Sequence, residues 1–481
     1  MGAAVNETVE PSSQKRIPCP LCGAQIVAGA RKCRYCRRWL GEPPRGRSPF
    51  SRSLTLIIAA VVAVLAVLIS GRQSPVGEAP PLTPIATGSS VAAADVPAGA
   101  APQVVGPDIE GEPGASVESP QAGKRDWRSR RLRLDVHPLD LVFSASGETL
   151  YVSGDDASLR EYDVKTGKLV HMASVPAQGD RIRLLGNRYV ALIRRYEAAH
   201  IPLLDTDNWD RDPKLLWVGA NPADVVALPD GKTIVAASSR GKRLTWFELE
   251  GGRRQADIRL PHATAKLYVL RTGERPCVGA LGTLFRAGRP AGAWIDLFDP
   301  TETPFGATRR SVSVGRDPHP GAVTRDRTAL FFPDHVSNTA SLLTVDATTE
   351  TKTVTVGQGP IAAFLLSDDR YGVTLDAKAR TATVIDLADM TRLSTLMLTG
   401  SPSHGAAAPD GTKLFISLGG TTWPPTESGA AVVEGDPPKV VATLKTDRGA
   451  ARVATSPDGT RAAIANHFAK TISVIEREPG R

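Results

Sequence analysis

Cysteine is nearly absent from most of this chain. Of the five cysteines in 481 residues, four lie within positions 19–36 and the fifth is Cys277. A lone cysteine cannot form an internal disulfide, so the region after position 36 is not a disulfide-stabilised domain. Cys277 lies in a strand-like apolar run, where we expect a buried, inert thiol in preference to a reactive one.

Basic residues are missing from one long stretch and crowded into another. Residues 73–123 contain no Lys, no Arg, no aromatic residue and nine prolines. Such a segment has too little apolar side-chain area to offset the entropy lost on ordering, so we predict a disordered linker over 72–124. Residues 1–52 hold ten basic residues against three glutamates, which supplies +7 of the net charge of +8. The basicity therefore belongs to the N-terminal segment and not to the whole protein.

Long apolar runs are also lacking, with one exception at 54–69, which reads LTLIIAAVVAVLAVLI. With its flanking uncharged residues, the segment 53–71 would span roughly 28 Å as a helix, close to the thickness of a bilayer core. A buried helix of a soluble protein would show polar residues every few positions, and a cleavable signal peptide would be shorter. We predict one transmembrane helix over 53–71. The basic flank precedes it, so the positive-inside rule places the N-terminus in the cytoplasm and the rest outside.

The four clustered cysteines form two Cys-x-x-Cys pairs separated by ten residues. Four thiolates suit tetrahedral Zn²⁺ and leave no ligand position for water, so we predict a structural zinc site. Its ligands are Cys19, Cys22, Cys33 and Cys36. The stretch resembles the short zinc ribbons of bacterial membrane proteins, which implies a zinc-ribbon domain over 17–40. The sequence departs from that pattern at Arg37, where the first pair has Gly23.

Five basic residues surround the second cysteine pair: Arg31, Lys32, Arg34, Arg37 and Arg38. Zinc with four thiolates carries a formal charge of −2, which gives these cations a local electrostatic role besides membrane orientation. Nucleic-acid binding is the alternative interpretation of a basic patch. Only Tyr35 and Trp39 could stack on bases, so we consider a nucleic-acid partner unlikely.

From residue 130 onward a repeated unit appears, in which a short strand, a Gly/Asp turn and a second strand follow each other. The turns lie at Gly147, Gly186, Gly231, Gly273, Asp326, Asp369, Gly411 and Gly459. Spacings near 40–50 residues are typical of four-stranded propeller blades. The phrases ALPDGKTIVA, AAPDGTKLFI and ATSPDGTRAAI resemble the YVTN/WD40-like propeller superfamily. This resemblance implies an all-β propeller over 130–477, with eight blades by repeat count and seven as the alternative.

The two ends of the repeat region complement each other. After Ile475 no room remains for a fourth strand in the last unit, while residues 131–136, RLRLDV, precede the first unit and alternate like a strand. We expect this segment to complete the last blade and close the ring without a free edge.

Inner strands of a propeller line its central channel, so equivalent positions form rings. Seven residues before the turns lie Asp140, Asp224, Lys266, His319, Ala362, His404 and Arg452, and the second unit offers Gly179 or Asp180. We predict a ligand site from the charged and histidine members of this ring. The alternative is a channel that is polar only because it holds water.

Two insertions carry aromatic residues. Residues 293–310 contain Trp294, Phe298 and Phe305, and residues 421–429 contain Trp423. They are candidates either for partner contacts or for packing against the ring.

Motifs for haem attachment, a serine nucleophile, phosphate-binding glycine loops and HExxH zinc catalysis are absent from the sequence. The sequence therefore favours a non-enzymatic, membrane-anchored binding, scaffold or sensing protein of the bacterial inner membrane. In this interpretation the propeller is extracytoplasmic (periplasmic) and engages a protein or glycan of the envelope, while the cytoplasmic ribbon makes protein contacts. The alternatives are a lactonase- or quinoprotein-like enzyme acting at the channel mouth, and a membrane-tethered nucleic-acid binder.

Overall fold

The computed structural model describes residues 16–18, 25–27, 116–118 and 126–478, except 177, 195–197, 287–288, 302–308, 346–349 and 421–426. All regular secondary structure in these residues is β-strand. Within them, no helix is long and apolar enough to cross a membrane. The helix predicted at 53–71, the cysteines predicted to bind zinc and most of the predicted linker 72–124 lie outside the described residues.

The chain separates into two units, residues 1–104 and 105–481. The first contains one antiparallel pair, β1 (Arg16–Pro18) and β2 (Gln25–Val27), in which Pro18 pairs with Gln25. This pairing brings together the chain on both sides of the first cysteine pair.

The second unit is a ring of eight blades, each with four antiparallel strands. A short strand, β3 (Ser116–Glu118), and the strand β4 (Trp127–Arg133) precede the first complete blade. Blade 1 contains β5 (Pro138–Phe143), β6 (Thr149–Gly154), β7 (Ser158–Asp163) and β8 (Leu169–Ser174). Blade 2 contains β9 (Arg181–Leu185), β10 (Tyr189–Ile193), β11 (His200–Asp205) and β12 (Lys214–Trp217).

Blades 3 to 5 continue this order. Blade 3 contains β13 (Pro222–Ala227), β14 (Thr233–Ser238), β15 (Arg243–Glu248) and β16 (Arg254–Arg259). Blade 4 contains β17 (Lys266–Thr272), β18 (Arg275–Arg286), β19 (Arg289–Phe298) and β20 (Arg309–Val314). Blade 5 contains β21 (Ala322–Val323), β22 (Ala329–Asp334), β23 (Thr339–Thr344) and β24 (Thr351–Thr355).

Blades 6 to 8 complete the ring. Blade 6 contains β25 (Pro360–Leu366), β26 (Tyr371–Asp376), β27 (Thr381–Asp386) and β28 (Thr391–Met397). Blade 7 contains β29 (His404–Ala407), β30 (Lys413–Ser417), β31 (Ala430–Glu434) and β32 (Lys439–Leu444). Blade 8 contains β33 (Ala450–Thr455), β34 (Arg461–Asn466) and β35 (Thr471–Arg477).

The fourth strand of blade 8 comes from the start of the ring. Strand β35 pairs with β4, from Thr471 opposite Arg133 to Arg477 opposite Trp127. Trp127 anchors this strand against Phe415 of blade 7, edge to face at 5.6 Å between ring centroids. The prediction of eight blades closed by the N-terminal strand is therefore confirmed. The strand begins at Trp127, three residues before the predicted domain boundary at 130.

The predicted linker has strand structure near its C-terminal end. Strand β3 pairs in parallel with β28, with Ser116 opposite Ser394 and Glu118 opposite Leu396. Blade 6 therefore has a fifth strand on its outer edge. The outer edge strand of a blade presents unpaired N–H and C=O groups, with which another strand can pair. The three residues of β3 pair with this edge.

The turn glycines explain why the repeated phrase forms a hairpin. Gly231 and Gly411 have φ of 66° and 69°, in the left-handed region that a side chain disfavours. The strands on either side alternate apolar side chains, which pack between neighbouring sheets. Buried apolar residues form eight clusters, and each one joins two adjacent blades. The core is therefore a ring of sheet-to-sheet interfaces around the channel.

Cys277 lies on β18 and is 6% exposed. Burial raises the pKa of its thiol to about 11, as expected for an inert core residue.

Candidate binding site in the central channel

One cavity of about 940 Å³ occupies the channel at the end where the inner strands begin. Of the residues predicted to form the ring, Asp140, Lys266, His319, His404 and Arg452 all line this cavity, with Ala362. Six of the seven predicted ring positions therefore lie at the cavity. The seventh, Asp224, lies behind the cavity wall and is fully buried.

Asp224 joins three blades. Its carboxylate accepts a hydrogen bond from Lys266 Nζ of blade 4 at 2.8 Å and from Arg183 Nε of blade 2 at 3.2 Å. The backbone N–H of Leu267 also donates to it, at 3.2 Å. Burial opposes ionisation of Asp224, but the two cations outweigh it and hold the pKa at about 2. Asp224 thus links neighbouring blades through buried ion pairs and does not face the cavity.

Asp140 has the same role between blades 1 and 2. Its Oδ2 accepts the backbone N–H of Ile182 at 2.9 Å, and its Oδ1 accepts the N–H of Leu141 at 3.0 Å. Blades 1 and 3 therefore each contribute an acid that binds the inner strand of the following blade. Both acids of the predicted ring bind the inner strand of the next blade, and Lys266 and Arg183 bind Asp224.

Blade 2 contributes cations that the sequence register missed. Counting seven residues back from Gly186 indicated Gly179 or Asp180, but the residues that line the cavity are Arg181 and Arg183. The inner strand of blade 2, Arg181–Leu185, has five residues and ends directly before Gly186, so a count of seven passes its first residue. In blade 4 the turn glycine also follows the strand directly, but β17 has seven residues and the count arrives at Lys266. The alternation in RIRLL was the signal that could have identified both arginines.

His404 lies among these cations. Its Nδ1 accepts the backbone N–H of Val453 at 3.3 Å, so the neutral ring carries its proton on Nε2. Burial, and then the charges of Arg452, Arg183, Arg181 and Lys266, hold the pKa of His404 well below its ordinary value. The side chain is therefore uncharged at neutral pH and offers one N–H donor.

Burial likewise lowers the pKa of Lys266 to about 8, against the attraction of Asp224. The same effect lowers the pKa of His319, which stacks on His335 with 4.9 Å between ring centroids. Asp317 approaches His319 Nε2 at 3.6 Å. His335 also lines the cavity, and its Nδ1 lies 3.1 Å from the carbonyl oxygen of Pro360.

The channel wall therefore has two different arcs. Blades 8 and 1 to 4 supply Arg452, Asp140, Arg181, Arg183 and Lys266, with Asp224 behind them. Blades 5 to 7 supply one cation, the exposed Lys378, and otherwise uncharged groups. The uncharged groups include His319, Pro320, Ile361, Ala362, Phe364 and His404. One arc carries most of the cations, and the other is largely apolar.

A second set of acids lies away from the cavity, at the ends of the second strands of blades 5 and 6. Asp376 is fully buried and accepts hydrogen bonds from Thr374, Thr381 and Thr383 at 2.8, 3.1 and 2.6 Å. Asp334 accepts one from Ser341 at 2.8 Å, and its Oδ1 has no partner. Burial raises the pKa of each to about 6. Gly357 lies so close to Asp376 that a Cβ there would be 2.5 Å from Oδ2.

Two aromatic residues of the first predicted insertion pack against the ring. Phe298 is 1% exposed, and Trp294 stacks on His262 with 4.2 Å between centroids. The insertion covers the second half of β19, the connection that follows it and the start of β20. Phe305 and Trp423 lie outside the described residues.

No group of three or more His, Cys, Asp and Glu side chains that could hold a metal occurs in the part of the chain that the structure describes.

Comparisons with known proteins agree on the architecture. No family model matches the chain, and no curated protein matches it by sequence. Among solved structures, the C-terminal WD40 domain of Sif2 is similar with a TM-score of 0.57 and 11% sequence identity, covering 73% of this chain and 99% of that chain. Hydrazine synthase from Kuenenia stuttgartiensis matches with a TM-score of 0.48 and 16% identity, over 72% of this chain and 97% of that chain. The chain thus has a WD40-like, eight-bladed β-propeller fold.

Proposed function

We propose that this protein is a membrane-anchored, non-enzymatic binding protein that captures an envelope partner or ligand at the channel mouth of its propeller. The observation that carries the proposal is the cavity of about 940 Å³, which is lined by residues of all blades except the third. A cavity of that volume is within the range of ligand sites. The contacts of Asp140 and Asp224 between blades hold its wall rigid, which reduces the entropy lost on binding.

The apolar segment 53–71 supports the anchor, since its length matches a bilayer and its basic flank orients it. In this proposal the N-terminus is cytoplasmic, the propeller is periplasmic, and the segment 72–124 spaces the ring from the inner membrane.

The zinc ribbon supports a second contact on the cytoplasmic side. The pairing of Pro18 with Gln25 brings together the chain that flanks Cys19 and Cys22, as a zinc knuckle requires. With Cys33 and Cys36 these residues would hold the metal, which would supply folding free energy to a segment too small to fold on apolar burial.

The binding proposal is tested with the full-length protein in its own membranes. A photo-crosslinking residue is placed at Lys445, which is exposed in the loop before β33 on the mouth face, and separately at Val170 on the outer edge of blade 1. We expect a specific crosslinked partner or ligand from position 445 and none from position 170. Crosslinks from position 170 alone would contradict a site at the mouth.

The anchor is tested separately with cysteines introduced one at a time before the apolar segment and in the propeller. Cells whose outer membrane has been permeabilised, and whose inner membrane is intact, are treated with a membrane-impermeant thiol reagent. We expect labelling at position 445 and none at position 12, which precedes the apolar segment. Equal labelling of both positions would contradict the predicted orientation.

A further inference from the structure

We propose that the channel cavity binds a small organic oxyanion, a carboxylate or phosphate compound with at least two negative charges and an apolar body. This inference rests on the proposed function, because it names the chemistry of the ligand at the same mouth.

Charge on the cavity wall is the first argument. Arg181, Arg183, Lys266, Lys378 and Arg452 all line the cavity. Asp140 is the one carboxylate among the lining residues, and Asp224 lies behind them. Both carboxylates are already engaged in hydrogen bonds between blades. Cations in such excess, in a concave site with protein walls, create a positive potential that concentrates anions.

The cations of the wall differ in the partners that they already have. Arg183 and Lys266 share the single carboxylate of Asp224. Arg452 has no ion pair with any described residue, and its Nε is buried without a hydrogen-bond partner. A buried donor without a partner is destabilising, and a ligand oxygen would remove that penalty. The guanidinium group donates in a planar fork that matches carboxylate and phosphate oxygens.

His404 supplies a further donor of the right kind. Since its Nδ1 accepts the N–H of Val453, its neutral ring offers the Nε2 proton beside Arg452. A donor that stays uncharged among cations adds direction without adding repulsion.

The opposite arc selects an organic ligand over an inorganic ion. Ile361, Ala362, Phe364 and Pro320 line the side of the cavity on which Lys378, at the rim, is the one lining cation. A bare phosphate would leave this apolar wall in contact with water, whereas a ligand with an apolar body would cover it. The cavity volume of about 940 Å³ accommodates a molecule of metabolite size.

The test uses the full-length protein in detergent and isothermal titration calorimetry at pH 7, with phenyl phosphate, phthalate and inorganic phosphate as probes. We expect phenyl phosphate or phthalate to bind at least about tenfold more tightly than inorganic phosphate, since only the aromatic probes cover the apolar arc. The order of the two aromatic probes identifies the head group as phosphate or carboxylate.

The decisive variant is Arg452→Met, because this side chain has no partner among the described residues whose loss would unfold the ring. We expect a loss of affinity of at least about tenfold for the tighter aromatic probe, since a hydrogen bond to a charged group is removed. Lys378→Met, at the exposed rim, should give a smaller loss in the same direction. Lys445→Met removes the same charge from the same face outside the cavity, and its affinity should stay within about twofold of the wild type.

Two results would overturn the inference. One is the absence of calorimetric binding for both aromatic probes. The other is an equal loss of affinity in the Lys445→Met control and in Arg452→Met. Either result leaves the proposed function intact if crosslinking from position 445 still captures a partner, so failure of the ligand class and failure of the binding site are distinguishable.

Discussion

Two fully buried aspartates of this propeller behave in opposite ways. Asp224, between blades 2, 3 and 4, has a pKa lowered to about 2, and Asp376, inside blade 6, has a pKa raised to about 6. Neither side chain is exposed to water. Asp224 contacts two cations, whereas Asp376 receives three threonine hydroxyls and no cation.

The difference shows that burial alone does not decide the charge of a carboxyl in this ring. Burial raises the pKa in both places, and neutral hydroxyl donors only partly oppose it at Asp376. Opposite charges at 2.8 and 3.2 Å reverse the effect at Asp224. The blades around Asp224 are thus joined by ionic contacts, while blades 5 and 6 hold acids that are largely protonated at weakly acidic pH.

Removal of the Asp224 carboxylate should have the largest effect on stability. Asp224→Ala leaves Arg183 and Lys266 close together in a buried site, and we expect a loss of about 3–5 kcal/mol in the free energy of unfolding. Urea unfolding at pH 7 measures the change. The matched control is Asp368→Ala, which removes an exposed ion pair with Arg325 and should change stability by about 1 kcal/mol or less. Equal losses in both variants would mean that the buried charges are not coupled.

At Asp376 the raised pKa should make the free energy of unfolding depend on pH. Because its pKa is about 6 in the folded protein against 3.8 as the ordinary value, the folded state holds its proton more tightly. The stabilisation of the folded state by this proton is therefore fully present below pH 4. It is lost as the pH rises through 6, with a magnitude of about 3 kcal/mol in the free energy of unfolding. Between pH 4 and pH 7 the free energy of unfolding of Asp376→Asn should rise by about that amount relative to the wild type. Denaturant unfolding across this pH range provides the measurement.

A surface acid supplies the control for that experiment. Hydrogen bonds from Thr166 lower the pKa of Asp163, so its contribution is present above its ordinary pKa and is lost at lower pH. Asp163→Asn should therefore leave the stability difference from the wild type unchanged between pH 4 and pH 7, and should change it with the opposite sign only below pH 4. A slope of the same sign in both variants would contradict the account given for Asp376.

Lys266 extends the comparison to a cation. Burial lowers its pKa to about 8, although Asp224 attracts the charged form and Arg183 and Arg181 repel it. We expect affinity for phthalate to fall about fivefold between pH 7 and pH 9, the equivalent of about 1 kcal/mol for one charge pair at a solvated site. Lys266→Arg keeps the charge over this range and should give a flat profile. A wild-type profile as flat as that of the variant would disprove the role of Lys266.

The smallest effect is expected at Cys277, where burial again disfavours the charged form. A thiol pKa of about 11 leaves little thiolate at pH 8. We expect alkylation by iodoacetamide to be roughly a hundredfold slower in the folded protein than in the urea-unfolded protein, because the thiolate is the reacting form. Mass spectrometry of the peptide that contains Cys277 measures the rate. Rapid labelling of the folded protein would show that β18 opens or that the thiol is ionised.

The repeat phrases predicted the fold well because a blade is a local structure. Each turn glycine, each apolar alternation and the spare strand before the first unit are encoded within a few residues, so eight blades and their closure could be counted from the sequence. The ring positions were found in the same way, and the count gave a residue at the cavity in six of the eight blades. It missed in blade 2, whose inner strand has five residues, and in blade 3, where Asp224 is buried behind the wall.

The roles of the ring residues depended on neighbours that are distant in the chain. Asp140 and Asp224 look like channel acids in the sequence, but their carboxylates reach the inner strand of the next blade, more than forty residues away. The protonation of Asp334 and Asp376 likewise depends on which side chains surround them after packing.

The zinc ligands, the membrane helix and the orientation remain predictions from the N-terminal sequence. For the propeller, the sequence was sufficient to predict the number of blades, the closing strand and some of the polar groups near the axis, because these follow from local periodicity. Only the assembled ring decided which of those groups pair with each other and which face the cavity, since electrostatic interactions depend on distance in space and not on separation along the chain.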